Sequence, residues 1–313
     1  MIKHASVILA AAGHLVLAVP AATAASTIKH VFVITMENTD ARQIYGKPQR
    51  APYLNNSVIP NAARATNFND RLLTLDSEPH YILMEAGTNA FSDHTFTSDA
   101  DASAKNSTAS KDHLVTQIET SGTVTWMTYQ EDATAGACPV VSSFPYAAKH
   151  NPFVFFQDVS GNPPSRKTQR CIDHTKPYSA LAADLAANQI TNYVFITPNL
   201  CHDMPGDKQC PKGDRVTAGD KWLEAQLPPI IDWVGKNAGA IFIVWDEGSS
   251  KQAKNKIPFL AIGPGVKPGF AGVVEYDHGS LLRSIEEIFN LPILPAAAGN
   301  NNLADLFKEG TFP

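Results

Sequence analysis

The sequence predicts an α/β fold in which helices cover a mainly parallel sheet. Two patterns carry the prediction. Short apolar runs of strand length recur along the chain, and stretches with helical apolar spacing separate them. The runs are continuous rather than alternating, as in strands buried on both faces. With 313 residues, 44% of them hydrophobic, the chain can build one sizeable core, and a single domain over residues 25–313 is expected.

Residues 1–24 are expected to be a leader rather than part of the fold. Lys3 and His4 precede an apolar stretch from Ala5 to Val19, then Pro20 and the small-residue run Ala21-Ala22-Thr23-Ala24-Ala25. That order is the pattern of a secretory signal peptide, with cleavage expected after Ala24. The stretch is short for a membrane anchor and is interrupted by Gly13, His14 and Pro20. After leader cleavage no integral membrane segment is expected, and the mature protein is expected to be secreted or periplasmic.

The strands are expected at Val31 to Met36, Tyr193 to Thr197, Ile241 to Trp245 and Pro258 to Ile262. Helical spacing marks Ser179 to Asn188, Asp220 to Lys236, with Asp220 an early helix residue, and His278 to Asn290. Tyr81 to Ala86 reads as the first turns of another helix, with Pro79 at its first position and Ser77 just before it. The Ser-, Thr-, Ala- and Asp-rich stretch from Phe91 to Lys111 reads as a long loop near the surface. Cys138, Cys171, Cys201 and Cys210 all follow the leader, where an oxidising compartment favours pairing. The expected bridges are Cys138 with Cys171 and Cys201 with Cys210, each closing a loop rich in Pro, Gly and polar residues. Short-spaced cysteine pairs of a zinc site are missing.

Lys and Arg number 25 against 30 Asp and Glu, for a formal net charge of −5 at pH 7. Such a chain exerts no long-range attraction on phosphates, so a general nucleic-acid binder is excluded. Anion binding would need a local positive charge, which a metal ion can supply.

In open α/β sheets ligands bind beyond the carboxyl ends of the strands. Three expected strands lead there into metal-capable groups: Glu37-Asn38, then Asn199 to Asp203, then Asp246-Glu247. Any one of these could be an ordinary strand exit or turn. Carboxylates gathered at one edge repel one another unless a cation or shared protons intervene. Ser77, in Leu75-Asp76-Ser77-Glu78-Pro79-His80-Tyr81, would put a hydroxyl at a helix N-terminus, where N–H groups favour a phosphate. Its plain alternative is an N-cap. His278, before Gly279-Ser280, and His150, before Asn151-Pro152, could steady a phosphate, donate a proton, or simply be hydrogen-bonded structural histidines.

The motifs Met36-Glu37-Asn38, Ser77-Glu78-Pro79-His80-Tyr81, Pro198-Asn199-Leu200-Cys201-His202-Asp203, Trp245-Asp246-Glu247-Gly248 and Asp277-His278-Gly279-Ser280 occur in this order. Together they resemble the bacterial phosphoesterase family of secreted acid phosphatases and non-specific phospholipases C, within the alkaline phosphatase-like superfamily. The resemblance implies a three-layer α/β/α sandwich with a mainly parallel central sheet. It also implies a metal held by Glu37, Asn38, Asp246 and Glu247, and Ser77 as a nucleophile that forms a phosphoserine. His278 matches the closing histidine of the site, and Asp203 an acidic position with His202 beside it. His80, His150 and Asn199 are the expected substrate contacts. Two departures stand out. Relatives read Ser-x-Pro-Asn-Tyr where this chain has His80, so an imidazole replaces a phosphate-contacting amide. They often read Asn-Asp-x-His where this chain has His202-Asp203-Met204-Pro205, so the histidine is displaced.

The expected function is a metal-dependent phosphoester hydrolase, foremost an acid phosphatase acting on small phosphomonoesters. Its alternative is a phospholipase C acting on phospholipid headgroups, and a non-catalytic phosphate binder is the reading from another class. Oxygen-rich ligands favour Mg, Ca or Mn over Zn.

Overall fold

The structure is a computed structural model that describes Met1 and residues 27–204, 206–249 and 256–313. The expected leader and Pro205 lie outside the described residues. At the centre stands β1 (His30–Met36), with β5 (Tyr193–Thr197) on one side and β6 (Gly239–Trp245) on the other, both parallel to it. Every residue of β5 and β6 is buried, and so is all of β1 after His30. That burial is why the three runs read as continuously apolar.

Beyond β5 the sheet continues in parallel with β3 (Trp126–Gln130) and β4 (Thr175–Pro177). On the other flank β7 (Phe259–Ile262) runs antiparallel to β6. Next come β2 (Ala63–Ala65), antiparallel to β7, and β8 (Ala271–Gly272), parallel to β2. The order is β4-β3-β5-β1-β6-β7-β2-β8. The sheet is thus mainly parallel as expected, while β7 departs from the parallel pattern of its neighbours. Among the described elements it comes next after β6, and an antiparallel pair, unlike a parallel one, needs no crossover connection.

Among the described residues, five helices have six or more residues: α1 (Ser77–Ala86), α2 (Leu114–Ser121), α3 (Leu181–Ala186), α4 (Arg215–Lys236) and α5 (His278–Ile288). α1 packs on α5 and α2, whereas α3 packs on α4, which also lies against β6. Two helix boundaries correct the sequence reading. Asp214, not Asp220, opens α4, its carboxylate accepting from Thr217 N at 3.0 Å. Asp220 is buried inside α4 and accepts from Tyr53 N and Leu54 N, both at 2.9 Å, so it caps a different helical turn. Ser77 is the first residue of α1, with Asp76 before it as the cap residue.

The polar stretch from Phe91 to Lys111 has little regular structure, but it does not stand apart from the fold. Phe96 and Thr108 are buried in it. Asp99 Oδ1 accepts from Glu78 N at 3.0 Å, and Glu78 Oε2 accepts from Ala100 N at 2.8 Å. The segment therefore straps the N-terminus of α1. Both expected disulfides form: Cys138–Cys171, and Cys201–Cys210 in the loop after β5.

Candidate active site

The parallel strands deliver their carboxyl ends to one edge, and backbone bonds tie those ends together. Glu37 N donates to Asp203 O at 2.7 Å, Asp246 N to Met36 O at 3.0 Å, and Thr39 N to Glu247 O at 3.2 Å. Asn38 adopts a left-handed backbone, φ 42°, which asparagine tolerates better than most residues. The turn lets its N–H donate to Asp246 Oδ1 at 2.9 Å.

α1 brings Ser77 to this edge. Its hydroxyl lies 2.9 Å from Glu37 Oε2 and 3.3 Å from Glu247 Oε1, while Asn38 Nδ2 donates to Ser77 Oγ at 3.3 Å and to Glu37 Oε2 at 2.6 Å. The hydroxyl is not used as a backbone cap. The structure thus brings buried Glu37, Ser77, Asp246 and Glu247 into one cluster with half-buried Asn38.

His150 and Asp203 join it. His150 Nε2 lies 3.1 Å from Glu37 Oε1, and its Nδ1 lies 3.7 Å from Asp203 Oδ2. None of these four atoms makes a hydrogen bond, and Asp246 Oδ2 is also buried without one. The His150 ring stacks on Tyr81 at 5.1 Å. Burial and then the Lys149 charge push His150 well below its usual pKa. Burial followed by the Glu37 charge pushes Asp203 and Asp246 well above the carboxylate range, and burial also raises Glu37. Among the described residues no Lys or Arg pairs with Glu37, Asp203 or Asp246. Lys149 is the cation whose charge reaches Glu37 and Asp246, but its ammonium pairs with Asp99. Orphaned, mutually repelling carboxylate oxygens around a serine fit a divalent cation, with Glu37, Asn38, Asp246 and Glu247 as its oxygen donors.

His278 opens α5 behind the cap residue Asp277. Its Nε2 donates to Trp245 O at 3.0 Å, so Nδ1, buried and without a hydrogen-bond partner, carries a lone pair. Burial and the neighbouring His80 lower its pKa to about 4. His80 does not present a free N–H as the resemblance implied. Its Nδ1 donates to Asp76 O at 2.7 Å, and its Nε2 meets Asp70 Oδ1 at 2.9 Å.

Two other expected residues are held elsewhere. Asn199 Nδ2 donates to Asp132 Oδ2 at 2.6 Å, and its Oδ1 accepts from Cys201 N. His202 Nδ1 pairs with Glu131 Oε2 at 2.9 Å, with 40% of its side chain exposed. The displaced histidine of this loop has thus become part of a loop brace. Sequence reasoning missed Asp70 and Lys149. Asp70 follows Phe68-Asn69 outside any motif, and Lys149 adjoins His150 with no pattern of its own to mark it.

Residues 57–292 match the Phosphoesterase family. A phosphatidylinositol-3-phosphatase of Mycobacterium tuberculosis is 27% identical over 92% of this chain and 86% of its own. A probable acid phosphatase of Kluyveromyces lactis is 24% identical over 91% of this chain, which spans 64% of that protein. In fold, murine ectonucleotide pyrophosphatase/phosphodiesterase 5 superposes with a TM-score of 0.56 at 10% identity, over 90% of this chain and 100% of that one. An alkaline phosphatase superfamily protein of Vibrio parahaemolyticus gives 0.54 at 11% identity, over 90% of this chain and 71% of that one. The serine at a helix start among strand-end carboxylates and the match over most of its length agree, and the chain belongs to the Phosphoesterase family as a phosphoric ester hydrolase.

Proposed function

We propose that this protein is a secreted, metal-dependent acid phosphatase that cleaves phosphomonoesters through a phosphoserine at Ser77. The observation that carries the reading is the Ser77 hydroxyl lodged between Glu37 Oε2 and Glu247 Oε1, beside buried oxygens of Glu37, Asp203 and Asp246 that find no hydrogen-bond partner among the described residues. The likeness to acid phosphatases supports the monoester and the acid preference.

A divalent ion on Glu37, Asn38, Asp246 and Glu247 would supply the charge that lowers the serine pKa and offsets the phosphate. Glu37 and Asn38 orient the hydroxyl, so that one oxygen lone pair is free to attack phosphorus. The Oγ–P bond forms as the bond from phosphorus to the leaving alcohol breaks, and water then hydrolyses the phosphoserine to free phosphate and serine. His150, against Glu37 and with no hydrogen bond of its own, is placed to carry a proton between these steps.

The test compares p-nitrophenyl phosphate with p-nitrophenylphosphorylcholine from acid to neutral pH, with chelator and with added Mg, Ca or Mn. Preferential monoester cleavage in acid, abolished by chelator, is the expected result. Ser77→Ala should reduce turnover by about 10⁴-fold or more while the far-UV spectrum stays unchanged. Mass spectrometry of acid-quenched wild-type enzyme should locate phosphate on Ser77. Phosphate on another residue, or full activity in the serine variant, would overturn the mechanism.

A further inference from the structure

A second group of potential ligands shares Glu247 with the Glu37 cluster. Single donor atoms of Asp70, His80 and Glu247 all lie within 4.8 Å of one another, and all three residues are buried. In this group an imidazole joins two carboxylates. The Glu37 set, by contrast, offers oxygen alone.

Without an ion His80 Nε2 pairs with Asp70 at 2.9 Å, and a cation would take the place of the proton between them. A backbone carbonyl can only accept, so the 2.7 Å contact with Asp76 O assigns a proton to His80 Nδ1. Nε2 is then the atom turned toward Asp70 and Glu247. His278 is held the same way: Trp245 O takes its Nε2 proton, and Nδ1 is buried with no partner. The two rings pack edge to face with centroids 6.0 Å apart, and Asp70 lies close enough for its charge to act on both histidines. An outer N–H anchored on a carbonyl, with the other nitrogen directed inward, is how proteins fix imidazoles as metal ligands. Asp70 is itself held by Leu72 N at 2.9 Å. The donor spacing can contract onto one ion, since opposed ligands about 2.1 Å from a metal stand ~4 Å apart.

We propose that Asp70, His80 and Glu247 form a second cation site, selective for a transition ion such as Zn²⁺ or Mn²⁺, with Glu247 shared with the Glu37 set. The imidazole makes this site softer than its neighbour, so the two ions can differ in kind. The inference needs only that the Glu37 set exists as a separate site.

The experiment counts metal ions. The full chain, stripped with chelator, is dialysed against Zn²⁺ or Mn²⁺ and assayed by inductively coupled plasma mass spectrometry, and crystals are measured at the metal absorption edge. Two ions per chain are expected in the wild type, with an anomalous peak among Asp70, His80 and Glu247. His80→Asn should retain one ion and lose that peak, and Asp70→Asn should do the same if the histidine variant folds poorly. Asp246→Asn should remove the other ion. A wild type with a single ion that survives His80→Asn and Asp70→Asn but is lost in Asp246→Asn would overturn the second site and leave the proposed function standing. A wild type that binds no ion would overturn both.

Discussion

Ser77 occupies the first position of α1, and the residue before it, Asp76, takes the cap position. The hydroxyl is therefore available for chemistry, and replacing it removes no helix cap. Asp246 has two jobs: Oδ1 fixes the left-handed turn at Asn38, and Oδ2 is an orphan facing the cluster. Asp246→Asn keeps one acceptor and loses the charge, so metal affinity and rate should fall together, the rate by roughly 100-fold. Isothermal titration with the metal and steady-state rates at saturating metal check this; a rate loss at unchanged affinity would contradict it. His202 braces Glu131 and is partly exposed. His202→Ala should leave kcat/KM within about twofold at every pH, and a lost limb in the pH profile would return the residue to the reaction. The serine and the acidic pairs were legible because each sits in a motif at a strand or helix end. Asp70 was not, since only the folding of His80 toward it gives that aspartate a meaning.

α1 and α2 are joined by a buried charge cluster away from the catalytic edge. His113, the residue before α2, is fully buried, with Nδ1 2.9 Å from Glu85 Oε1 on α1 and Nε2 3.1 Å from Asp158 Oδ1. Its ring stacks on Phe156 at 4.0 Å. Burial alone would lower the His113 pKa, but Asp158 and Glu85 hold it above the ordinary value. A raised folded-state pKa gives stability that is full below about pH 6.5 and is lost as pH rises through the folded value. Asp158 moves the other way: burial opposes, yet the bond and charge of His113 pull it down, so its contribution is lost only in strong acid. Burial raises Glu85, with His113 pulling it back. His113→Gln should therefore cost about 3 kcal/mol near pH 6, and the gap from wild type should narrow toward pH 9. Urea melts at the two pH values measure it, and a gap independent of pH would contradict the assignment. Neither α2 nor this link was legible in the sequence: the 8 residues of α2 are too few for a clear helical period, and no spacing rule connects His113 to Asp158.

Across the whole molecule, the apolar runs at β1, β5, β6 and β7 were readable because both faces of those strands are buried. β3 was not. Its Thr128 and Gln130 are buried polar residues, bonded to each other at 2.8 Å and to β5 through Thr197 Oγ1 and Phe195 O, and they break the apolar run. β2, β4 and β8 have three residues or fewer, too short for any period to show. The two disulfides close loops of unequal size, with sequence separations of 33 and 9. In the chain-entropy account, replacing Cys138 and Cys171 by serine should cost about 4 kcal/mol, and replacing Cys201 and Cys210 about 3 kcal/mol. Guanidinium denaturation of the two double variants checks the order, and a larger loss from the shorter loop would overturn it.

The strand ends gather Glu37, Asp203, Asp246 and Glu247 from three distant stretches of sequence into one buried space. In the unfolded chain these groups are solvated and far apart, so the work of bringing like charges together falls on the folding reaction itself. An ion that binds only the assembled edge returns that work, adding about 2.7 kcal/mol at a free concentration one hundred times its Kd. Under the proposed function the cation would govern maturation as well as catalysis: a chain made without metal would stay open to proteases longer, and its survival would follow the metal supply.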